Sequence, residues 1–443
     1  MLNNVGGDWG ICEISLFSGD TLMSQLREQD HLFTVLEKGA DGNQPIVIGA
    51  VHECLNARLD SLAAIIEKFC EPQVAIVSLT ITEKGYCIDP ATGKLDPTHP
   101  RIIHDLENPT LPQSAPGILV EALARRRERG LPPFTVLSCD NIPDNGHVVK
   151  NAVLGMAEKR SPALADWIAD NVSFPGTMVD RIVPAATPES LAEIAAVLGV
   201  DDPCAISCEP FIQWVVEDHF VAGRPAWETA GVQMTDDVLP WEQMKLRMLN
   251  GSHSFLAWLG YLAGHAHISD CMRDDVFRRA ARQLMLDEQA PTLTITGVDL
   301  LAMPTVSSPA SAIRRSNTAP GKSPWTVARS CPQRMLDGIR VHLARGQPLA
   351  RCWLSAWPAG CATSAARTTP VRRSTCAIRW STRSGSGWPR AMSSSASTPC
   401  WGWRKYLAAT CRTTPSLSPG IRAAWQQLAT HGAPRAVARA LNS

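Results

Sequence analysis

Residues 134–160 read FTVLSCDNIPDNGHVVKNAVLGMAEKR, and this stretch decides the fold. Residues typical of a buried strand, Phe134 to Ser138, lead into a short polar turn, and Gly146 to Arg160 then has apolar residues at helical spacing. A strand followed by a tight turn and a helix is the repeating unit of an α/β domain. Ligands bind at the carboxyl ends of the strands in such a sheet, so the turn is a candidate binding site.

The same alternation extends towards the amino terminus. Short apolar runs predict strands at residues 11–17, 32–36, 46–51 and 74–80, and helical spacing predicts helices at residues 21–29, 61–69 and 116–129. This rhythm predicts a doubly wound, Rossmann-type α/β domain.

The pattern changes near Trp241. From there to Leu286, apolar residues keep helical spacing without a strand signal, which predicts a mainly helical second domain. We place the first domain at residues 1–235 and the second at residues 236–443. After Leu300 the periodicity disappears, and we expect residues 302–330 and 348–419 to be poorly ordered.

The formal net charge is zero, with 42 basic and 42 acidic residues, but the charges are unevenly distributed. Asp337 is the only acidic residue after residue 300, where about 20 lysines and arginines lie. Disordered tails are usually poor in tryptophan and cysteine, which are frequent here. Frame changes in a GC-rich gene explain this composition better than an evolved tail.

A basic tail could also bind nucleic acid through phosphate neutralisation. The arginines after residue 300 show no helical face and the tryptophans no regular interleaving, so we expect no nucleic-acid partner. No apolar run reaches the 18 or so residues that a membrane helix needs, and we expect a cytoplasmic protein without a membrane partner. The scattered cysteines lack zinc-site spacing, which predicts reduced thiols and no metal.

Three segments carry residues suited to chemistry. In the turn after Ser138, polar groups lie at the carboxyl edge of the sheet, although Asp140 and Asn145 could simply cap the turn and the next helix. In the run 173–184, Asp180 and Arg181 interrupt apolar sequence, and such charges are either functional or a structural ion pair.

The third segment is KLRMLNGSH, residues 245–253. With a rotation of about 100° per residue, Lys245, Asn250 and His253 fall within a sector of about 140°. A lysine at a buried site can have its pKa lowered until it serves as a base near neutral pH. The alternative is a solvated helix face.

These segments, in this order, resemble the long-chain polyol dehydrogenase family that includes mannitol dehydrogenase and fructuronate reductase. The similarity runs from Val5 to Leu300 and rests on five blocks: TITEKGY (80–86), CDNIPDNG (139–146), FPGTMVDRIVP (174–184), EPFIQWVVED (209–218) and KLRMLNGSH (245–253). The residues in these blocks are most similar to those of the family's sugar-acid enzymes. The resemblance therefore implies an NAD-dependent oxidoreductase for a sugar acid, with a neutral polyol such as mannitol as the alternative substrate.

The resemblance also implies roles for individual residues. Lys245 would be the general base, Asn141 and Asn250 would hold the reacting oxygen, and His253 would hydrogen-bond the substrate. Asp180 would tune the lysine or relay its proton. Cofactor contacts are expected from the loop that carries Thr82, Glu83 and Lys84.

The sequence departs from the family in two places. It lacks the first strand and the glycine-rich turn whose N–H groups hold the cofactor's pyrophosphate, so we expect an incomplete sheet, weak or absent NAD binding and little activity. The lysine that the family places just before Cys331 to Arg334 is also missing. Arg329 and Arg334 lie near that point, but no role is transferred to them.

Overall fold

In the computed structural model, a strand at Thr135–Ser138 leads through the polar turn into a helix at Asn145–Arg160. The structure describes residues 2–300, apart from residues 6, 17, 40–41, 90–91, 266, 296–297 and 299, together with residues 334, 337–345 and 437. The chain divides into two units, Met1–Leu239 and Pro240–Ser443. The segments predicted to be poorly ordered, 302–330 and 348–419, lie outside the described residues.

The first unit alternates strands and helices. Its strands are β1 (Ile11–Ser15), β2 (Phe33–Gly39), β3 (Gly42–Ile48), β4 (Val51–Asn56), β5 (Ile76–Leu79), β6 (Thr135–Ser138), β7 (Thr177–Asp180), β8 (Ile206–Cys208), β9 (Gln213–Glu217) and β10 (Gln233–Thr235). Its helices are α1 (Leu2–Val5), α2 (Asp20–Glu28), α3 (Leu62–Phe69), α4 (Thr82–Gly85), α5 (Pro100–Glu107), α6 (Ala115–Glu128), α7 (Asn145–Arg160), α8 (Pro162–Asn171) and α9 (Pro188–Leu198), with a 3₁₀ turn at Trp227–Ala230. The predicted α/β alternation is confirmed.

One predicted strand, residues 46–51, is wrong. The chain leaves β3 at Ile48 and begins β4 at Val51, so the apolar run belongs to two strands. Between them the Gly49 N–H donates to the Asn3 Oδ1 at 2.6 Å and not to a neighbouring strand. Apolar periodicity does not reveal this break, because apolar residues continue through it.

The parallel part of the sheet consists of two separate pairs. β1 pairs in parallel with β4, and β5 pairs in parallel with β6. Within the described ranges, each of these pairs forms a separate two-stranded sheet. Their side chains nevertheless share one apolar core, in which Ile14 of β1 and Leu55 of β4 pack against a buried cluster that includes Val77 and Val136. In the described ranges the two pairs are thus joined through this core and not through a backbone ladder.

The other strands form two three-stranded sheets. β2 and β3 make an antiparallel hairpin, and β8 joins β2 in parallel. In the second sheet β9 lies between β7, which is antiparallel to it, and β10, which is parallel. The pairing of β7 with β9 places Asp180 opposite Gln213 at the edge of this sheet.

The second unit is helical in its described part, as predicted. It contains α10 (Leu239–Met244), α11 (Ser252–Ala263), α12 (Ile268–Arg273), α13 (Asp275–Gln283) and α14 (Asp337–Ala344). Two π-helical segments, Lys245–Gly251 and Leu284–Gln289, and a 3₁₀ turn at Ala290–Thr292 interrupt these helices. Met244, Met248 and Met285 form part of its core. Among the described helices, none combines the length and apolarity needed to cross a bilayer.

Candidate active site

The turn after β6 is built around the buried carboxylate of Asp140. Its oxygens accept the backbone N–H of Ile81 at 3.1 Å and that of Thr82 at 2.8 Å. The hydroxyl of Tyr86 donates to the same carboxylate at 2.5 Å and lies 2.7 Å from the Ser138 hydroxyl. Burial, with the Asp140 charge, raises the pKa of Tyr86. Asp140 therefore joins the carboxyl ends of β5 and β6.

Asn145 fixes the other end of this turn. Its amide nitrogen donates to the Asp140 carbonyl at 3.0 Å and to the Thr177 carbonyl at 2.9 Å, and its amide oxygen accepts the Thr177 N–H at 2.9 Å. The predicted capping role is only partly correct, because the residue before α7 is Asp144, whose side chain makes no cap hydrogen bond. Asn145 instead ties α7 to β7.

Gly146 is required by close packing of backbone. A Cβ added to Gly146 would lie 2.8 Å from both the Gly176 nitrogen and the Phe174 oxygen. Backbone atoms cannot move aside as the end of a flexible side chain can. The CDNIPDNG and FPGT blocks are therefore two halves of one packed substructure.

The predicted site residues of the first unit lie around this substructure. Asn141 is exposed on the turn, directly after Asp140. Thr82, Glu83 and Lys84 are exposed in the short helix α4 after β5, and Thr82 has a left-handed backbone with φ of 65°. Asn141 and these three residues are thus on two turns that Asp140 connects.

Cys139 does not provide a nucleophile at this edge. Burial, with a smaller effect of the Asp140 charge, raises the pKa of its thiol to about 12. The thiol therefore stays protonated at neutral pH, whereas the thiolate is the reactive form. The described residues also contain no group of three or more His, Cys, Asp or Glu side chains that could hold a metal.

Asp180 lies at the end of β7 and is half-buried. The neighbouring Arg181 pairs with Glu37 and donates from Nε to the Glu209 carbonyl at 3.0 Å. Burial, and to a lesser degree the Asp180 charge, raises the pKa of Glu209. Arg181 therefore has a structural ion pair with Glu37, while Asp180 adds negative charge near Glu209.

The second unit brings Lys245, Asn250 and His253 onto one long helical stretch, and Lys245 is only 6% exposed. The assumption of α-helical rotation is wrong here, because Lys245–Gly251 is a π-helix. Its hydrogen bonds join residues i and i+5, so Asn250 lies about one π-turn after Lys245, and His253 follows in the first turn of α11. The wider turn therefore brings Asn250 closer to Lys245 around the helix axis than α-helical rotation would.

His253 lies beside a guanidinium and is held neutral. Burial, with a further contribution from the Arg334 charge, lowers its pKa to about 4. Its Nε2 atom is out of contact with solvent and has no hydrogen-bond partner among the described residues. Arg334 donates to the Ser254 hydroxyl at 3.2 Å, and that hydroxyl donates to the Asn250 carbonyl at 2.9 Å. The imidazole is therefore uncharged near neutral pH.

Two residues with a structural part in the site were not predicted as such. Tyr86 was part of the TITEKGY block, but its link to Asp140 spans 54 residues of sequence and leaves no local pattern. The sequence indicates only that Arg334 is basic and lies near the missing lysine. The structure adds its proximity to His253 and Ser254.

Comparison with known families identifies both units. The model of the mannitol dehydrogenase Rossmann domain matches residues 3–229, and that of the mannitol dehydrogenase C-terminal domain matches residues 237–356. Together they span most of the chain.

Individual relatives agree with these matches. The uncharacterized oxidoreductase YeiQ of Escherichia coli is 76% identical over 349 residues, 78% of this chain and 71% of the relative. The D-mannonate oxidoreductase of the same organism is 54% identical over 353 residues, 78% of this chain and 72% of the relative.

A solved structure shows the same fold. The Pseudomonas fluorescens mannitol 2-dehydrogenase, in a ternary complex with NAD and D-mannitol, superposes with a TM-score of 0.78 at 33% identity, covering 99% of this chain and 89% of that chain. The resemblance inferred from the sequence blocks is confirmed. The chain belongs to the mannitol dehydrogenase family of oxidoreductases.

Proposed function

We propose that this chain carries the machinery of an NAD-dependent oxidoreductase that interconverts a sugar acid and its keto form, with Lys245 as the general base. The observation that carries this proposal is the burial of Lys245 on a π-turn that it shares with Asn250 and His253. Buried amines of this kind can have the pKa values that proton transfer near neutral pH requires.

In the oxidation direction, the neutral amine of Lys245 accepts the proton of the substrate hydroxyl. Amide N–H groups of Asn141 and Asn250 donate to the oxygen as negative charge develops on it. His253, neutral above a pKa of about 4, hydrogen-bonds the substrate and does not compete for the proton. Asp180 tunes the lysine or passes its proton on.

When bound, NAD takes up or supplies the hydride. The described residues include a loop placed to contact the cofactor, but they do not include a turn suited to its pyrophosphate. Thr82, Glu83 and Lys84 are exposed at the carboxyl end of β5, where a Rossmann-type sheet binds its ligand. The strand-to-helix turns of the described ranges, including Ser18–Gly19 after β1, lack the repeated glycines that hold a pyrophosphate.

The position of one acidic residue, Asp20, bears on whether the cofactor is NAD or NADP. Asp20 begins α2, five residues after the last residue of β1, on the carboxyl side of that strand, and its carboxylate lies 3.4 Å from the Arg58 guanidinium. A carboxylate at the end of a strand in this fold accepts a ribose hydroxyl and repels a 2′-phosphate. This position supports NAD over NADP, although Arg58 offsets part of the charge.

The identities support a sugar acid over a neutral polyol. The chain is 54% identical to a D-mannonate oxidoreductase over 353 residues and 47% identical to the mannitol 2-dehydrogenase of Cereibacter sphaeroides over 254 residues. Mannitol oxidation is the second candidate, since the same lysine chemistry acts on either hydroxyl.

The test is NADH consumption by the purified chain with fructuronate and, separately, with fructose. We expect higher kcat/KM with fructuronate, and loss of at least 100-fold in Lys245→Met. The exposed Lys150 provides the matched control, Lys150→Met, which should retain activity. Equal rates of Lys245→Met and the unchanged chain would contradict the catalytic assignment, and a preference for fructose would favour the polyol.

A further inference from the structure

Asp140 is the point at which the two functional turns of the first unit meet. One carboxylate oxygen accepts the Thr82 N–H at 2.8 Å, and the other accepts the Ile81 N–H at 3.1 Å and the Tyr86 hydroxyl at 2.5 Å. The side chain is 8% exposed. Both oxygens are thus engaged by the loop that follows β5.

A carboxylate suits this position better than an amide. The three groups that face it are all donors, and only an acceptor without N–H groups of its own can satisfy them together. The contact also holds Thr82 in its left-handed conformation, which is unfavourable for a residue with a branched side chain. Without the carboxylate, the hydrogen bonds that stabilise this conformation of the loop would be lost.

The backbone of Asp140 is fixed as well. The Asn145 amide donates to its carbonyl at 3.0 Å, and the Asp140 N–H is 3.4 Å from the Ser138 hydroxyl. Asn141, the next residue along the chain, therefore starts from a restrained position. Movement of the Asp140 side chain would therefore displace both the loop and Asn141.

We propose that Asp140 is a positioning residue that holds the loop of Thr82 to Lys84 and the turn of Asn141 as one rigid unit. This inference rests on the proposed function, in which that loop faces the cofactor and Asn141 the reacting oxygen. It gives the carboxylate a part in the reaction without contact to either molecule.

Asp105 provides a matched control. It is fully buried in the same unit, and its carboxylate also accepts two backbone N–H groups and a hydroxyl, from Gln113 at 2.6 Å and from Ser114 at 2.9 and 2.5 Å. Those contacts cap α6 and do not involve a proposed site residue. Asp140→Asn and Asp105→Asn therefore make the same chemical change in similar surroundings.

The first measurement is hydrogen–deuterium exchange by mass spectrometry on the full chain. In Asp140→Asn, we expect amide exchange to rise at least tenfold in peptides covering both 80–86 and 141–147. In Asp105→Asn, the rise should be confined to peptides covering 104–118. Unchanged exchange in either of the two Asp140-linked segments would overturn the proposal.

The second measurement is steady-state kinetics with NADH and fructuronate. Asp140→Asn should raise KM for NADH and lower kcat, each by about tenfold, whereas Asp105→Asn should change neither at a similar loss of thermal stability. Tyr86→Phe keeps both N–H contacts and should change each constant less than threefold. Equal kinetic losses in both aspartate variants would show a merely structural role. Absence of turnover in the unsubstituted chain would contradict the proposed function. The role of Asp140 would then be decided by the hydrogen–deuterium exchange result.

Discussion

Gly251 ends the π-turn directly against Gln289: a Cβ added to Gly251 would lie 2.4 Å from the Gln289 Nε2 and 2.9 Å from the Arg334 carbonyl oxygen. The side-chain end could move, but the carbonyl belongs to the backbone. Gly251→Ala should therefore lower the free energy of unfolding by about 1–3 kcal/mol. It should also lower kcat by about tenfold or more, because the turn that aligns Lys245 with His253 is displaced.

Thermal unfolding and NADH consumption check this expectation. Leu262→Ala, at a 36% exposed position on α11, is the control and should leave both nearly unchanged. A fully active Gly251→Ala would mean that the geometry of the π-turn is unimportant for the reaction.

The pKa of His253 gives a pH dependence of stability. Burial, then the Arg334 charge, lowers this pKa to about 4, whereas an unfolded histidine titrates near pH 6.5. The unfolded chain therefore binds the proton more readily, and the free energy of unfolding falls as pH drops from about 6.5 to about 4, by up to about 3 kcal/mol. Denaturant unfolding at several pH values should show a shallower fall in His253→Gln. Parallel curves for the two proteins would contradict the depressed pKa.

The buried Arg126 stabilises the core of the first unit. Its guanidinium donates to the carbonyls of Phe69 at 2.7 Å, Glu71 at 2.9 Å and Pro132 at 2.6 Å. Arg126→Met would leave these acceptors without a donor and should cost about 3 kcal/mol of stability. Arg127→Met is the control, because that exposed side chain donates to the Ala163 carbonyl and lies over the Trp167 ring at the surface, and its loss should cost about 0.5 kcal/mol or less. Similar midpoints in urea for both variants would count against this assignment.

The α/β alternation could be predicted because it depends on local apolar spacing. The strand before Ser138 and the helix that ends at Arg160 both have clear periods and differ from the predicted bounds by one residue. The break at Gly49 could not be predicted, since apolar residues continue through it. The separation of the parallel strands into two pairs has no local signal in the sequence, and only the family resemblance led to the expectation of an incomplete sheet.

The sequence predicts which residues form the candidate site, but it does not predict how they are arranged. Lys245, Asn250 and His253 were identified as one group, but apolar spacing cannot distinguish i→i+4 from i→i+5 hydrogen bonds, so the π-turn was missed. The contacts of Asp140 join residues up to 59 positions apart, and only the folded chain brings them together. The assigned roles of Lys245, Asn141, Asn250, His253 and Asp180 stay predictions.

The separation of β1 and β4 from β5 and β6 affects the order in which parts of the molecule unfold. Within the described ranges no main-chain ladder crosses from one pair to the other, so the strands are held together by side-chain packing in their shared core. Packing without a ladder is lost once the side chains separate by a few tenths of a nanometre, and such segments behave as independent foldons. On gentle heating, the layer that contains β1 and β4 should detach as a local opening event before the molecule melts as a whole.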